Sequence, residues 1–184
     1  NPRKAWVITG VILLAFAFNS TSLKADGIGT VDTFTGNPES VVGQKLLLKH
    51  FPGGEGDPTQ IVAAADKGDA VIAAVRQVKG VSEVAYAIDP MTQNVKNVGG
   101  KVIINATLDR APDSVEAGAY IPSIREAAHK ADATSLVGGT SAVYFDVRTA
   151  NDRDNKTIIP IILLVITLIL GLLLRSILSA VVLL

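Results

Sequence analysis

Lys101-Val102-Ile103-Ile104-Asn105-Ala106-Thr107-Leu108 sets Val102, Ile104, Ala106 and Leu108 on one side of an extended chain. Side chains alternate across a strand, so this spacing predicts a β-strand with one buried face. Val81 to Ile88 repeats the pattern, with Val84, Tyr86 and Ile88 together. The polar segment Asp89 to Gly100 lies between the two strands. Working outward, Val71, Ala74, Val75 and Val78 recur at helical spacing, with Gly80 as the stop. Thr59 to Ala65 reads as a short strand before that helix. On the other side, Ala117, Ile121, Ile124, Ala128 and Ala131 form one helical stripe. Pro122 inside that stripe should kink the helix or mark a second start. Thr134 to Val137 closes the series as a strand ending in Gly138-Gly139. The order strand, helix, strand, strand, helix, strand is the split βαβ, ferredoxin-like pattern of the α+β class, an antiparallel sheet with two helices on one face.

Ahead of this unit, Asn37-Pro38-Glu39 reads as a helix start, with Asn37 as cap and Pro38 at the first helical position. Val41, Val42, Leu46 and Leu48 make the helix amphipathic, and Phe51-Pro52-Gly53-Gly54 ends it.

The chain has 184 residues, 48% of them hydrophobic, and a mean hydropathy of +0.39. That excess sits at the two ends. Ala5 to Leu23, behind Arg3 and Lys4, gives about 28 Å of helix at about 1.5 Å per residue. Ile158 to Leu174 carries no charge and is followed by Arg175. Both runs suit a hydrocarbon core about 30 Å thick. A third apolar run begins at 176–184. The expected organisation is a membrane helix over 1–23, an exterior domain over 24–157, a membrane helix over 158–175 and the start of another span. Arg3, Lys4 and Arg175 act as topology anchors, which puts both ends in the cytoplasm and the acid-bearing centre outside. In a rival reading residues 1–17 are a cleaved signal peptide ending in Ala15-Phe16-Ala17, which leaves the centre outside as well. A chain that starts without Met and stops within an apolar run reads as part of a longer one.

Seventeen basic and seventeen acidic residues cancel, so no net field attracts nucleic acid. No cysteine is present, which excludes disulfides and thiolate metal sites. His50 and His129 stand far apart without acids at ligand spacing, and Asp66 and Asp69 lack the calcium-loop pattern. Gly53-Gly54-Glu55-Gly56 lacks the phosphate-loop frame and reads as a flexible turn. No nucleophile elbow accompanies the Ser, His and Asp residues. The sequence therefore points to neither an enzyme nor a cofactor. Asp146, Arg148, Asp152, Arg153, Asp154 and Lys156 crowd the segment that joins domain to membrane. They are candidate coupling residues, against the plainer reading of a solvated polar stretch. Thr167 and Gly171 share a face with Arg175, where small residues let another helix approach.

Two stretches carry a family resemblance. One is Ser40-Val41-Val42-Gly43-Gln44-Lys45-Leu46-Leu47-Leu48-Lys49-His50-Phe51-Pro52-Gly53-Gly54 with Asp57-Pro58. The other runs from Val137-Gly138-Gly139-Thr140-Ser141-Ala142 through Asp152-Arg153-Asp154-Asn155-Lys156-Thr157-Ile158-Ile159-Pro160 to Leu173-Leu174-Arg175-Ser176. Together they resemble the MMPL transporters of the resistance–nodulation–division superfamily. The second stretch resembles the second half of those two-part proteins more than the first. The resemblance implies a porter-type domain, proton-driven export of lipids or other hydrophobic molecules, and partners in the bilayer, in the remaining membrane segments and in the cargo. It leaves a homo-oligomer open. The family's proton-carrying residues sit in later spans, and neither span here holds an acid. Rivals are a two-span receptor with an exterior sensing domain, which Ile177 to Leu184 argues against, and a scaffold of the same fold without transport.

Overall fold

In a computed structural model, residues 2–20 and 28–174 are described. Arg175, the run 176–184 and residues 21–23 of the first apolar stretch lie outside them. Helix α1 spans Pro2–Ser20, a 3-10 turn covers Thr30–Thr33 and α2 covers Glu39–His50. There follow β1 (Thr59–Ala64), α3 (Gly68–Val75), β2 (Val81–Tyr86), β3 (Asn97–Val98), β4 (Lys101–Leu108), α4 (Val115–Ala131), β5 (Leu136–Gly138) and α5 (Thr140–Leu174).

The five strands form one antiparallel sheet. Its order is β2-β4-β1-β5, with the short β3 paired to the start of β4. Register is set by the alternation in β4. Ile104 pairs with Ile61 of β1 and with Tyr86 of β2, so one row of side chains, buried at Ile61 and Ile104 and partly buried at Tyr86, crosses the centre of the sheet. Val102, Ile104, Ala106 and Leu108 are all buried, as their spacing predicts. Helices α3 and α4 cover this face with Val71, Val75, Ala117, Ile121, Ile124 and Ala128. Each fully buried aliphatic side chain contributes about 1.5–3 kcal/mol relative to exposure.

Two local readings change in the structure, and the reading of Pro122 narrows to one of its alternatives. Pro38, not Asn37, occupies the cap of α2, and its carbonyl accepts from Val41 N (2.9 Å) and Val42 N (3.1 Å). Strand β2 stops at Tyr86, and Ile88 lies exposed in a bridge to Val95. The cause is Asp89, whose carboxylate accepts from the backbone of Met91 (2.8 Å) and Thr92 (3.3 Å) and turns the chain. Pro122 starts no second helix. Helix α4 runs through it as one element, capped by the Ser114 side chain, which accepts from Ala117 N at 3.1 Å.

Residues 53–56 form the expected turn, and Gly53-Gly54 within it is also a close-approach point. Gly54 N donates to Leu108 O at 2.9 Å. A Cβ on Gly54 would lie 2.7 Å from Leu108 N, and one on Gly53 would strike the backbone of Arg110 and Ala111. The segment before β1 is thereby fastened to the end of β4. Gly54→Ala is expected to lower stability by about 1–3 kcal/mol, the usual range for overpacking. Thermal unfolding of the chain in detergent, followed by circular dichroism, measures the loss.

Candidate functional site

Helix α5 has 35 residues and runs unbroken from Thr140 to Leu174. The charge-rich stretch Asp146 to Lys156 and the apolar stretch from Ile158 onward belong to one element. At about 1.5 Å per residue it is about 52 Å long. Its second half is, among the described residues, the only helix long and apolar enough to cross a membrane. The apolar side chains from Ile158 to Ile166 all face outward. An apolar helix without a covering protein layer suits lipid or neighbouring helices.

The other end of α5 belongs to the domain core. Gly139 adopts φ +94°, and a Cβ there would sit 3.2 Å from both Gln60 N and Pro58 O. The helix therefore leaves the end of β5 pressed against β1. Ser141 and Ala142 are buried, and Phe145 packs on the core cluster.

A forked ion pair fastens α5 to α4. Arg125 Nη1 and Nη2 donate to Asp146 Oδ1 and Oδ2, each at 2.7 Å. Parallel N–H···O bonds of this kind fix orientation as well as charge. The Arg125 guanidinium also lies 6.0 Å from the centre of the Phe145 ring. Arg125 holds the Asp146 carboxyl below the ordinary carboxylate range, and Asp146 raises the guanidinium in turn. Asp146 is about half exposed, so water screens the pair and its worth is about 0–1 kcal/mol. The clamp matters for geometry more than for stability.

The other candidate coupling residues are arranged differently. Arg148 Nη1 reaches to 3.6 Å from where a Cβ on Gly118 would stand, so it lies along α4. Arg153 and Asp154 pair with each other at 3.5 Å on the helix surface. Asp152 and Lys156 are exposed. Only Asp146 of the six is ion-paired to another element among the described residues. Thr167 and Gly171 are half-buried, and Thr167 Oγ1 donates to Leu163 O at 2.6 Å. That hydroxyl is satisfied on its own helix. Arg3 and Lys4 lie in the first turn of α1.

A second charged group escapes sequence reading. Asp132, directly after α4, is buried. Its carboxylate accepts from Ala64 N (2.9 Å), Thr134 N (3.0 Å) and Thr134 Oγ1 (2.8 Å), with Lys67 Nζ at 3.9 Å. These donors, led by the Ala64 N–H, lower its pKa to about 2. Asp132 thus ties the end of β1 to the α4–β5 connection beside the start of α5. The Asp-x-Thr spacing after a helical stripe is the local pattern that could have revealed it. Arg125 gives no such signal.

The model of the MMPL family matches residues 33–184. The chain belongs to the MMPL family. Relatives from Streptomyces coelicolor agree with this. The protein named "Putative membrane protein ActII-3" is 41% identical over 180 residues, which is 97% of this chain and 24% of that protein. SCO0839, with the same descriptive name, is 36% identical over 166 residues, or 88% of this chain and 24% of its own length. The chain thus spans about a quarter of the MMPL relatives it matches. The match includes the whole of α5, and the membrane-protein names of the relatives fit its apolar half.

Because Asp132 has a depressed pKa, it stabilises the fold above the unfolded carboxyl value of 3.8, and that contribution is lost as pH falls through about 2. Asp132→Asn is expected to melt at a lower temperature than the parent at pH 7. The gap should close between about pH 4 and pH 2, where protonation deprives the parent of the same charge. Paired thermal melts across that range check it.

Proposed function

We propose that the chain is part of a proton-driven transporter that moves lipids or other hydrophobic molecules away from the cytoplasm. The segment 24–157 is its extracytoplasmic, porter-type domain, and 1–23 and 158–175 are membrane helices, with a further span beginning at 176–184. The strand order β2-β4-β1-β5 with helices on one face supports a ferredoxin-like assignment for the domain. Arg3 and Lys4 before the first apolar stretch, and Arg175 after the second, support an orientation with both ends inside.

The observation that carries the reading is the continuity of α5. One helix shares the domain core at Ala142, is clamped at Asp146 and carries no charge from Ile158 to Leu174. A shift of that helix in the membrane must tilt or translate the domain, since no loop intervenes to absorb it. Alternating access needs such a connection, so that a change driven in the membrane opens or closes a site outside it. In this mechanism Arg125 and Asp146 position the lever, and Arg148 lies along the same interface. Asp152, Arg153, Asp154 and Lys156 keep the exposed middle of the helix in the polar boundary between domain and bilayer.

Lys79→Cys and Lys130→Cys in the full-length protein should react with a membrane-impermeant maleimide added to intact cells. Labelling only after the cells are opened would place the domain inside and end the proposal. For the lever, Arg125→Glu and Asp146→Arg should each reduce export of a lipid cargo, and the double swap should restore it. Lipid efflux from cells with matched protein levels reads this. A swap that leaves both single defects in place would remove the ion pair from the mechanism.

A further inference from the structure

Helix α2 bridges a hollow. Along one face, Ser40, Gln44, Leu47 and Phe51 recur at i, i+4, i+7 and i+11, and all four line cavities beneath the helix. A cavity of about 260 Å³ lies under its first half, walled by Phe34, Val41 and Pro112. A second of about 230 Å³ lies under its last turns, walled by Leu48 and Pro52, and the two meet at Gln44. Val41 is the one buried residue of α2. Leu47, Leu48 and Phe51 line the second cavity and stay 53%, 38% and 53% exposed. The floor does not rise to fill the gap. Gly53 lines the same cavity and is pressed so closely on the backbone of Arg110 and Ala111 that it leaves no room for a Cβ.

A helix of twelve residues is marginal on its own and takes its stability from packing. In α2 that packing is missing from the face turned to the domain, so a bound molecule has something to complete. The hollow itself defines that molecule. Its walls are mostly apolar, and apolar cavities as small as about 150 Å³ stay dry and take up hydrocarbon ligands. It is long and narrow, following the helix from Ser40 to Phe51. One turn of a second helix, about 10–12 Å across, needs more space than either cavity offers. The ionisable groups that line it, Asp113 and Glu55, are both acids, and Lys45 and Lys49 line neither cavity. An anionic end group would meet like charge there.

We infer that the hollow beneath α2 binds a single hydrocarbon chain of an amphiphile whose polar end carries no negative charge, and that this chain completes the packing of α2. The inference rests on the transporter reading only in making that chain part of the cargo.

The test uses the full-length protein in phosphatidylcholine nanodiscs, at a pH where fatty acids are ionised. Two probes carry the same saturated chain with a photoreactive diazirine at its middle. They differ at the end, one being hexadecanol and the other hexadecanoate. Irradiation and peptide mass spectrometry should place the hexadecanol adduct on Phe34, Val41, Leu48 or Phe51, with hexadecanoate labelling these residues about tenfold less. Amide hydrogen exchange over 39–50 should slow when hexadecanol is bound. Gln44→Trp, which puts a ring where the cavities meet, should remove both effects and keep the parent's melting temperature, because Gln44 is exposed. Glu55→Lys should raise labelling by hexadecanoate. Adducts confined to the membrane helices, equal labelling by the two probes, unchanged exchange, or adducts that survive Gln44→Trp would each overturn the inference. Export is scored apart. Adducts here in a protein that exports no lipid keep the site and end the transport reading, and export without these adducts does the reverse.

Discussion

Everything distinctive about this molecule depends on how α5 begins. Gly139, in a backbone region open to few other residues, presses the chain against Pro58 and Gln60 of the neighbouring strand. The next turns place Ser141, Ala142 and Phe145 inside the domain. A helix that starts in a close-packed core cannot swivel freely there, because protein interiors transmit displacement. The same helix is exposed and uncharged from Ile158 onward. The domain and the apolar half of α5 are therefore joined mechanically, and not only by sequence.

Two polar devices hold that joint, and they differ in kind. Asp132 is buried and meets several N–H and O–H donors, so it serves the fold by fastening β1 to the approach of β5. Arg125 and Asp146 lie nearer to water, where a pair adds little net stability but a fork still defines an angle. Such a fork sets the direction in which α5 leaves the domain without committing a buried charge. The buried clasp lies within the domain and the exposed one faces the helix that leaves it.

The domain was legible in the sequence wherever one face of an element is buried. The alternation in Lys101 to Leu108 and the stripe from Ala117 to Ala128 gave the sheet and its covering helix because burial imposes a period. The continuity of α5 was not legible. From residue 151 to 160 the helix is exposed all round, so nothing there selects a period, and its charges look like a linker. The Arg125–Asp146 fork joins residues 21 apart on two helices, and no local spacing encodes it. Gly53-Gly54 read as flexible because composition cannot show that Leu108 and Arg110 approach from fifty residues away.

The charged middle of α5 has a further consequence for how force would pass. A helix that crosses from protein to lipid loses tertiary support between the two, and it must keep its own hydrogen bonds there. Pro160 removes one of them, because it brings no N–H to the carbonyl four residues back. Thr157 Oγ1 donates to Arg153 O at 3.1 Å one turn earlier, a side-chain bond of the kind that bends helices slightly. Stiffness is therefore greatest where α5 lies in the domain, and the points of yield gather where the apolar stretch starts. A helix with its give at the start of the apolar stretch keeps Asp146 seated on Arg125 while the apolar half adjusts to its neighbours.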